Sequence, residues 1–164
     1  MLKKCLGLVL ATVFFTFHLF VNSASALELS KEVRTLPLNS QGETVVVTPE
    51  QYKQGQKVFV NTCSQCHLAG VTKTDPNVGL DPESLALATP ARDNIEGLID
   101  YLKNPTTYDG FTEISELHPS MKSADIFPEM RNLTEDDLFA VSSFVLIQPK
   151  VVGEQWGRGK TYRF

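Results

Sequence analysis

Cys63-Ser64-Gln65-Cys66-His67 decides how the rest of this chain is read. The spacing is C-x-x-C-H, the pattern of covalent c-type haem attachment. Two thiols three positions apart can add to the two vinyl groups on one edge of a porphyrin. The residue after them then places an imidazole under the iron. Two other chemistries use paired cysteines. A structural zinc site takes four protein ligands, yet downstream of this motif stand only one further histidine, His118, and no third cysteine. A redox C-x-x-C normally sits near a β-α-β pattern, and none is visible. The expected cofactor is one haem c per chain, held by two thioethers from Cys63 and Cys66, with His67 as the proximal iron ligand.

Upstream, the first residues carry an address. Lys3 and Lys4 precede an uncharged, mostly apolar run from Cys5 to Val21, and Ala24-Ser25-Ala26 follows as a small-residue cleavage site. This reads as a secretory signal peptide over residues 1–26, removed from the working protein. An uncleaved anchor is the alternative, since the run approaches spanning length, but the cleavage site directly after it favours removal. Removal takes away Cys5 and His18, so no cysteine outside the haem motif remains to form a structural disulfide. It also removes two lysines and no acid, moving the formal charge from −4 to −6. Such a balance argues against a nucleic-acid or anionic-lipid footprint and suits either a basic partner or solubility alone.

The remaining chain alternates strong helix signals with turn-rich segments. Thr35-Leu36-Pro37-Leu38 and Thr44-Val45-Val46-Val47 flank Asn39-Ser40-Gln41-Gly42, which predicts a small β-hairpin that must lean on something larger. Thr48-Pro49-Glu50-Gln51 combines a capping box with proline at the first helical position. The helix it opens runs towards Asn61, with Gly55 as a flat spot for a crossing helix. A loop with one short helix near Pro82 to Leu87 follows the haem motif. Asp93-Asn94-Ile95-Glu96 reads as a second capping box, and Ile95, Leu98, Ile99 and Leu102 form one apolar face before Asn104-Pro105 stops the helix. Thr134-Glu135-Asp136-Asp137 opens the last helix, which Pro149 is expected to end. The tail from Val151, with Trp156 among glycines and basic residues, is either frayed or an anchoring arm.

The long segment Thr106 to Asn132 carries the candidates for the iron's other axial position: His118, Met121 and Met130. A lone histidine is more often a surface or satisfied core residue than a ligand. That weighs less once a haem is placed and only two histidines remain in the processed chain. Pro119 stiffens the backbone beside His118 and keeps it extended. Met130 is the rival, because Met/His is the common axial pair of soluble cytochromes c. It stands only four residues before the cap at Thr134, which leaves little chain to reach the porphyrin. His118 is the favoured ligand, and Met130 stays open on these grounds. Two imidazoles would lower the potential relative to Met/His and leave no open coordination position, so an enzyme is the less favoured class.

The order helix, C-x-x-C-H, loop, helix, ligand loop, final helix resembles a class I cytochrome c. Three stretches carry a closer likeness: Leu87-Ala88-Thr89-Pro90-Ala91-Arg92-Asp93-Asn94-Ile95-Glu96-Gly97-Leu98, Tyr101-Leu102-Lys103-Asn104-Pro105-Thr106-Thr107-Tyr108-Asp109-Gly110, and Ser123-Ala124-Asp125-Ile126-Phe127-Pro128. These are similar to the cytochrome c-550 family, the extrinsic low-potential haem subunits of photosystem II in cyanobacteria and some algae. The resemblance implies a mostly α, class I cytochrome c-like haem domain at 49–150, preceded by a β-hairpin extension at 27–48 and followed by a tail at 151–164. It implies His67 and His118 as the two iron ligands. It further implies a place in the thylakoid lumen, held peripherally on the lumenal face of photosystem II by its intrinsic core and other extrinsic subunits. The role there is to help retain calcium and chloride and to shield the manganese cluster that oxidises water. A soluble exported electron carrier is the alternative function.

Overall fold

Two helices that cross at a glycine frame the molecule. The computed structural model describes residues 29–157, so the expected leader and the last seven residues of the chain lie outside the described residues. The first of the two, α2 (Pro49–Val58), begins at Thr48, whose side chain accepts from the Gln51 N–H. The Gln51 side chain reaches back to the Thr48 N–H, completing the predicted capping box. Its partner α5 (Glu135–Val152) starts with the same reciprocal pair between Thr134 and Asp137. Gln54 Nε2 donates to Asp137 Oδ1 at 2.7 Å and Gln148 Nε2 to Tyr52 Oη at 2.8 Å, so polar bonds tie the pair along its length. Gly55 is where the backbones meet: a Cβ there would stand 1.9 Å from the Ala140 carbonyl oxygen. Only glycine allows that approach.

The rest of the chain packs around this frame. A single helical turn, α1 (Lys31–Arg34), leads into β1 (Thr35–Pro37), which pairs antiparallel with β2 (Thr44–Val46) in the register Leu36 to Val45. The hairpin does lean on the helical body: Leu36 and Val47 join Ile95 and Ile147 in one buried cluster. Arg34 locks the joint by donating to the carbonyls of Leu29 and Val47. After the haem motif come α3 (Pro82–Leu87) and α4 (Ile95–Lys103), the latter ending at Asn104 as predicted. A second cluster of Val58, Phe59, Leu98, Val141, Phe144 and Trp156 forms the core beside the motif. Rings of Phe59, Phe144 and Trp156 stack within it at 5.2 to 6.0 Å between centroids.

Four features depart from the sequence expectation or go beyond it. The cap of α4 is Asn94, not Asp93; its side chain accepts from the Gly97 N–H at 2.9 Å. That register makes Ile95 the first helical residue and buries it completely. Pro149 does not end α5, which continues to Val152 and stops at Gly153 in the left-handed region (φ 64°). Proline removes one hydrogen bond, but Ile147 is wholly buried and Lys150 Nζ donates to the Thr35 carbonyl at 2.8 Å, which hold the last turn in place. The short turn α1 carried no periodic signal. Finally, the tail is anchored as far as Gly157. Trp156 is buried, its indole N–H donates to the Leu80 carbonyl at 2.9 Å, and the Gly157 N–H donates to Ala69 O.

Candidate haem site

The attachment motif sits where α2 loosens. Beyond Val58 the helix widens into a π turn over Phe59–Cys63, with the Ser64 N–H donating to the Phe59 carbonyl at 2.9 Å. Such bulges re-aim side chains and recur at functional sites. The next turn closes by bonds from the Cys66 and His67 N–H groups to Cys63 O, at 3.1 and 2.8 Å. Cys63, Cys66 and His67 therefore line a single wall of one cavity. Among the described residues no group of three or more His, Cys, Asp or Glu side chains comes together to hold a metal ion, which leaves the zinc reading without a ligand set.

Cys63 lacks the lowered thiol pKa of a redox nucleophile. Both cysteines are free, and burial pushes the Cys63 thiol up to about 12, with Cys66 and Glu129 adding to the effect. A disulfide-exchange nucleophile needs its thiol pKa lowered instead.

The opposite wall comes from the ligand loop. Hydrogen bonds fasten this segment along its length. Ile114 N–H donates to Pro105 O, His118 N–H to Ile114 O and Met121 N–H to Leu102 O, at 2.9 to 3.0 Å. Ser120 and Ser123, both buried, bond through their hydroxyls at 2.8 Å. His118 is thereby brought opposite His67, and the two ring centroids lie 6.1 Å apart with the planes tilted by 53°. A metal ion bound by two imidazole nitrogens at about 2 Å each sets ring centres about 6 Å apart. The cavity measures about 590 Å³, inside the range of cofactor pockets. Its lining joins both cysteines and both histidines with apolar side chains such as Phe59, Leu98 and Val145.

The electrostatics suit metal ligation. Burial lowers the His67 pKa, and burial followed by the His67 charge lowers His118 to about 4, against a smaller opposing effect of the Pro119 backbone. Both imidazoles are therefore neutral at neutral pH and have a lone pair to give. Behind His118 stands Tyr101, edge-on at 4.9 Å between centroids, and the Arg92 guanidinium lies 3.8 Å from the Tyr101 ring centre. Arg92 is itself buried and donates through Nη2 to the carbonyls of Thr106 and Thr107. Neither Arg92 nor Tyr101 was singled out by sequence reasoning, because nothing local marks a residue that supports a ligand from another segment. Met130 also lines the cavity, wholly buried, while Met121 does not. The residues at hand thus fit a haem: Cys63 and Cys66 would attach it, and His67 and His118 would be available to its iron.

Residues 27–163 match the cytochrome c-550 domain family. The chain belongs to that family. Photosystem II extrinsic protein V of Trichodesmium erythraeum is 64% identical over 162 residues, covering 99% of this chain and 100% of its own. The protein of the same name from Thermosynechococcus vestitus is 54% identical across 99% of both. Among solved structures, cytochrome c549 superposes with a TM-score of 0.77 at 63% identity, covering 78% of this chain and 99% of its own. Cytochrome c-550 membership makes haem the cofactor and the class I cytochrome c fold the architecture.

Proposed function

We propose that this chain is an extrinsic haem subunit of photosystem II, held on the lumenal side of the thylakoid membrane. In this reading Cys63 and Cys66 hold the haem covalently and His67 and His118 occupy both axial positions. The observation that carries the ligation is the 6.1 Å separation of the two imidazoles across a cavity that also receives both thiols. Relatives named as photosystem II extrinsic proteins, at 54 to 64% identity over nearly the full chain, support the assembly. Among the described residues no helix is long and apolar enough to cross a membrane, so attachment through protein partners accounts for the location. The ligand loop leaves Phe111 and Leu117 almost fully in solvent, apolar groups of the kind a docked subunit buries.

When bound, the haem supplies a one-electron couple. The protein's own residues would hold it, His67 from the attachment turn and His118 from the pinned loop, in a cavity that also presents apolar side chains such as Phe59, Leu98 and Val145. A site with both axial positions filled favours support of the water-oxidising manganese–calcium cluster and retention of calcium and chloride over chemistry at the iron. The test replaces the iron by redox-inactive zinc and rebinds the protein to salt-washed membranes depleted of it. Oxygen evolution restored nearly as well as by the iron form is the expected result. Normal rebinding with no restoration would make electron transfer through the haem the function, and the structural role would fall.

A further inference from the structure

The His67 imidazole has a second partner besides the cavity. Its Nδ1 lies 3.1 Å from the Thr72 hydroxyl oxygen, and the same hydroxyl bonds the Val78 carbonyl. A threonine hydroxyl has one proton and two lone pairs. The Val78 carbonyl can only accept, so the hydroxyl proton is committed there. Towards His67 the oxygen then has only a lone pair, and Nδ1 must carry the proton. The neutral ring is thereby fixed with its remaining lone pair on Nε2.

We propose that Thr72 is the positioning residue for His67, accepting from Nδ1–H and setting both the tautomer and the electron-donating strength of the ligand. The inference rests on the reading of His67 as an iron ligand. Thr72 owes its place to the loop backbone. Lys73 N–H donates to Cys66 O at 3.0 Å, and Leu80 N–H donates to Gly70 O at 2.8 Å, closing residues 70–80 over the attachment turn. A hydroxyl that donates onward is a stronger acceptor for it, because chained hydrogen bonds polarise one another. A better acceptor on Nδ1–H makes the ring a more basic ligand. A more basic ligand favours ferric over ferrous iron. Thr72 therefore holds the potential down from the proximal side, and the Val78 carbonyl is part of the same relay.

The test uses the haem-loaded protein. Thr72→Val keeps the shape and removes the acceptor; Thr72→Ser keeps the acceptor. At a fixed ambient potential the ferrous-to-ferric ratio of Thr72→Val should rise about three- to tenfold, a tenfold change being about 59 mV for a one-electron couple. Thr72→Ser should stay within about twofold of wild type. An unchanged ratio in Thr72→Val, or equal shifts in both variants, overturns the proposal. Should Thr72→Val fail to accumulate with haem, the unaltered ferrous protein labelled with nitrogen-15 histidine decides. A His67 Nδ1–H in slow exchange with solvent is expected, and exchange as fast as that of free imidazole overturns the role of Thr72. The same spectra keep the two readings apart. His67 ring protons without a haem ring-current shift would sink the ligation itself, whereas shifted ring protons with a labile Nδ1–H would sink Thr72 alone.

Discussion

Gly55 faces the Ala140 carbonyl oxygen so closely that a Cβ would stand 1.9 Å from it, and 2.9 Å from the Phe144 Cβ. Two effects of Gly55→Ala oppose each other. Alanine gains about 1 kcal/mol of helix propensity over glycine. The clash is with backbone, which cannot rotate away, and overpacking of this kind costs about 1–3 kcal/mol or more. The clash should win. Chemical denaturation of the haem-loaded protein should show a lower midpoint for Gly55→Ala, and a higher midpoint would mean that the helices do not cross here.

Axial ligation can be read from the ferric near-infrared spectrum, where a methionine–iron bond gives a charge-transfer band. Wild type and Met130→Leu should both lack the band under the proposed ligation by His67 and His118, which leaves Met130 as part of the cavity wall. The leucine conserves volume, so its stability cost should stay below about 1.5 kcal/mol. A band present in wild type and lost in Met130→Leu would reassign the ligand.

Glu113 gives the ligand loop a defined acid response. The Lys122 ammonium at 2.5 Å, then the Ser115 hydroxyl and N–H, hold its carboxyl down to about 2 from 4.5. A depressed carboxyl stabilises fully above its unfolded pKa and loses that contribution as pH falls through the folded one. The fastening between Glu113, Ser115 and Lys122 should therefore weaken from about pH 4.5 downward and be gone below about 2. Proton resonances of Ser115 should follow this window in wild type and stay flat in Glu113→Gln. Both partners are exposed, so added salt should shrink the effect.

Trp156 joins the tail to the haem-side core, and a Cβ at Gly70 would meet its ring at 2.7 Å. Trp156→Ala should cost about 3–5 kcal/mol through the cavity it leaves. Trp156→Phe retains most of the packing but strands the Leu80 carbonyl, at about 1–3 kcal/mol. Thermal unfolding of the two variants should rank them in that order.

What could be read from the sequence was what is encoded locally. Thr48 with Gln51, Thr134 with Asp137, the face from Ile95 to Leu102 and the flat spot at Gly55 all act through neighbours three or four positions away, or through one missing Cβ. The C-x-x-C-H spacing is local as well, because the porphyrin edge sets it. The π turn at Phe59–Cys63 escaped notice, since no residue type marks a widened helix. Asn94 displaced Asp93 as a cap because full burial of Ile95 selected the register, a decision made by the hairpin cluster. Pro149 stays inside α5 for the same reason, tertiary packing outweighing one lost hydrogen bond. Tyr101, with Arg92 on its ring, stands against His118 from another segment, and Thr72 meets His67 only because residues 70–80 fold back over the attachment turn.

The crossing of α2 with α5 also dictates an order of events. Helix α2 ends directly before both cysteines, yet its main packing partner is the last long element to leave the ribosome. Until residues 135–152 exist, α2 has no long helix to pack against, so the turn that carries both cysteines is not yet fixed against the core. Arrival of the final helix then sets Val141 and Val145 into the wall of the cavity that Cys63 also lines. Closure of the core around Cys63 is therefore left to the last long stretch of the chain, while Cys66 stays open to solvent even in the finished fold.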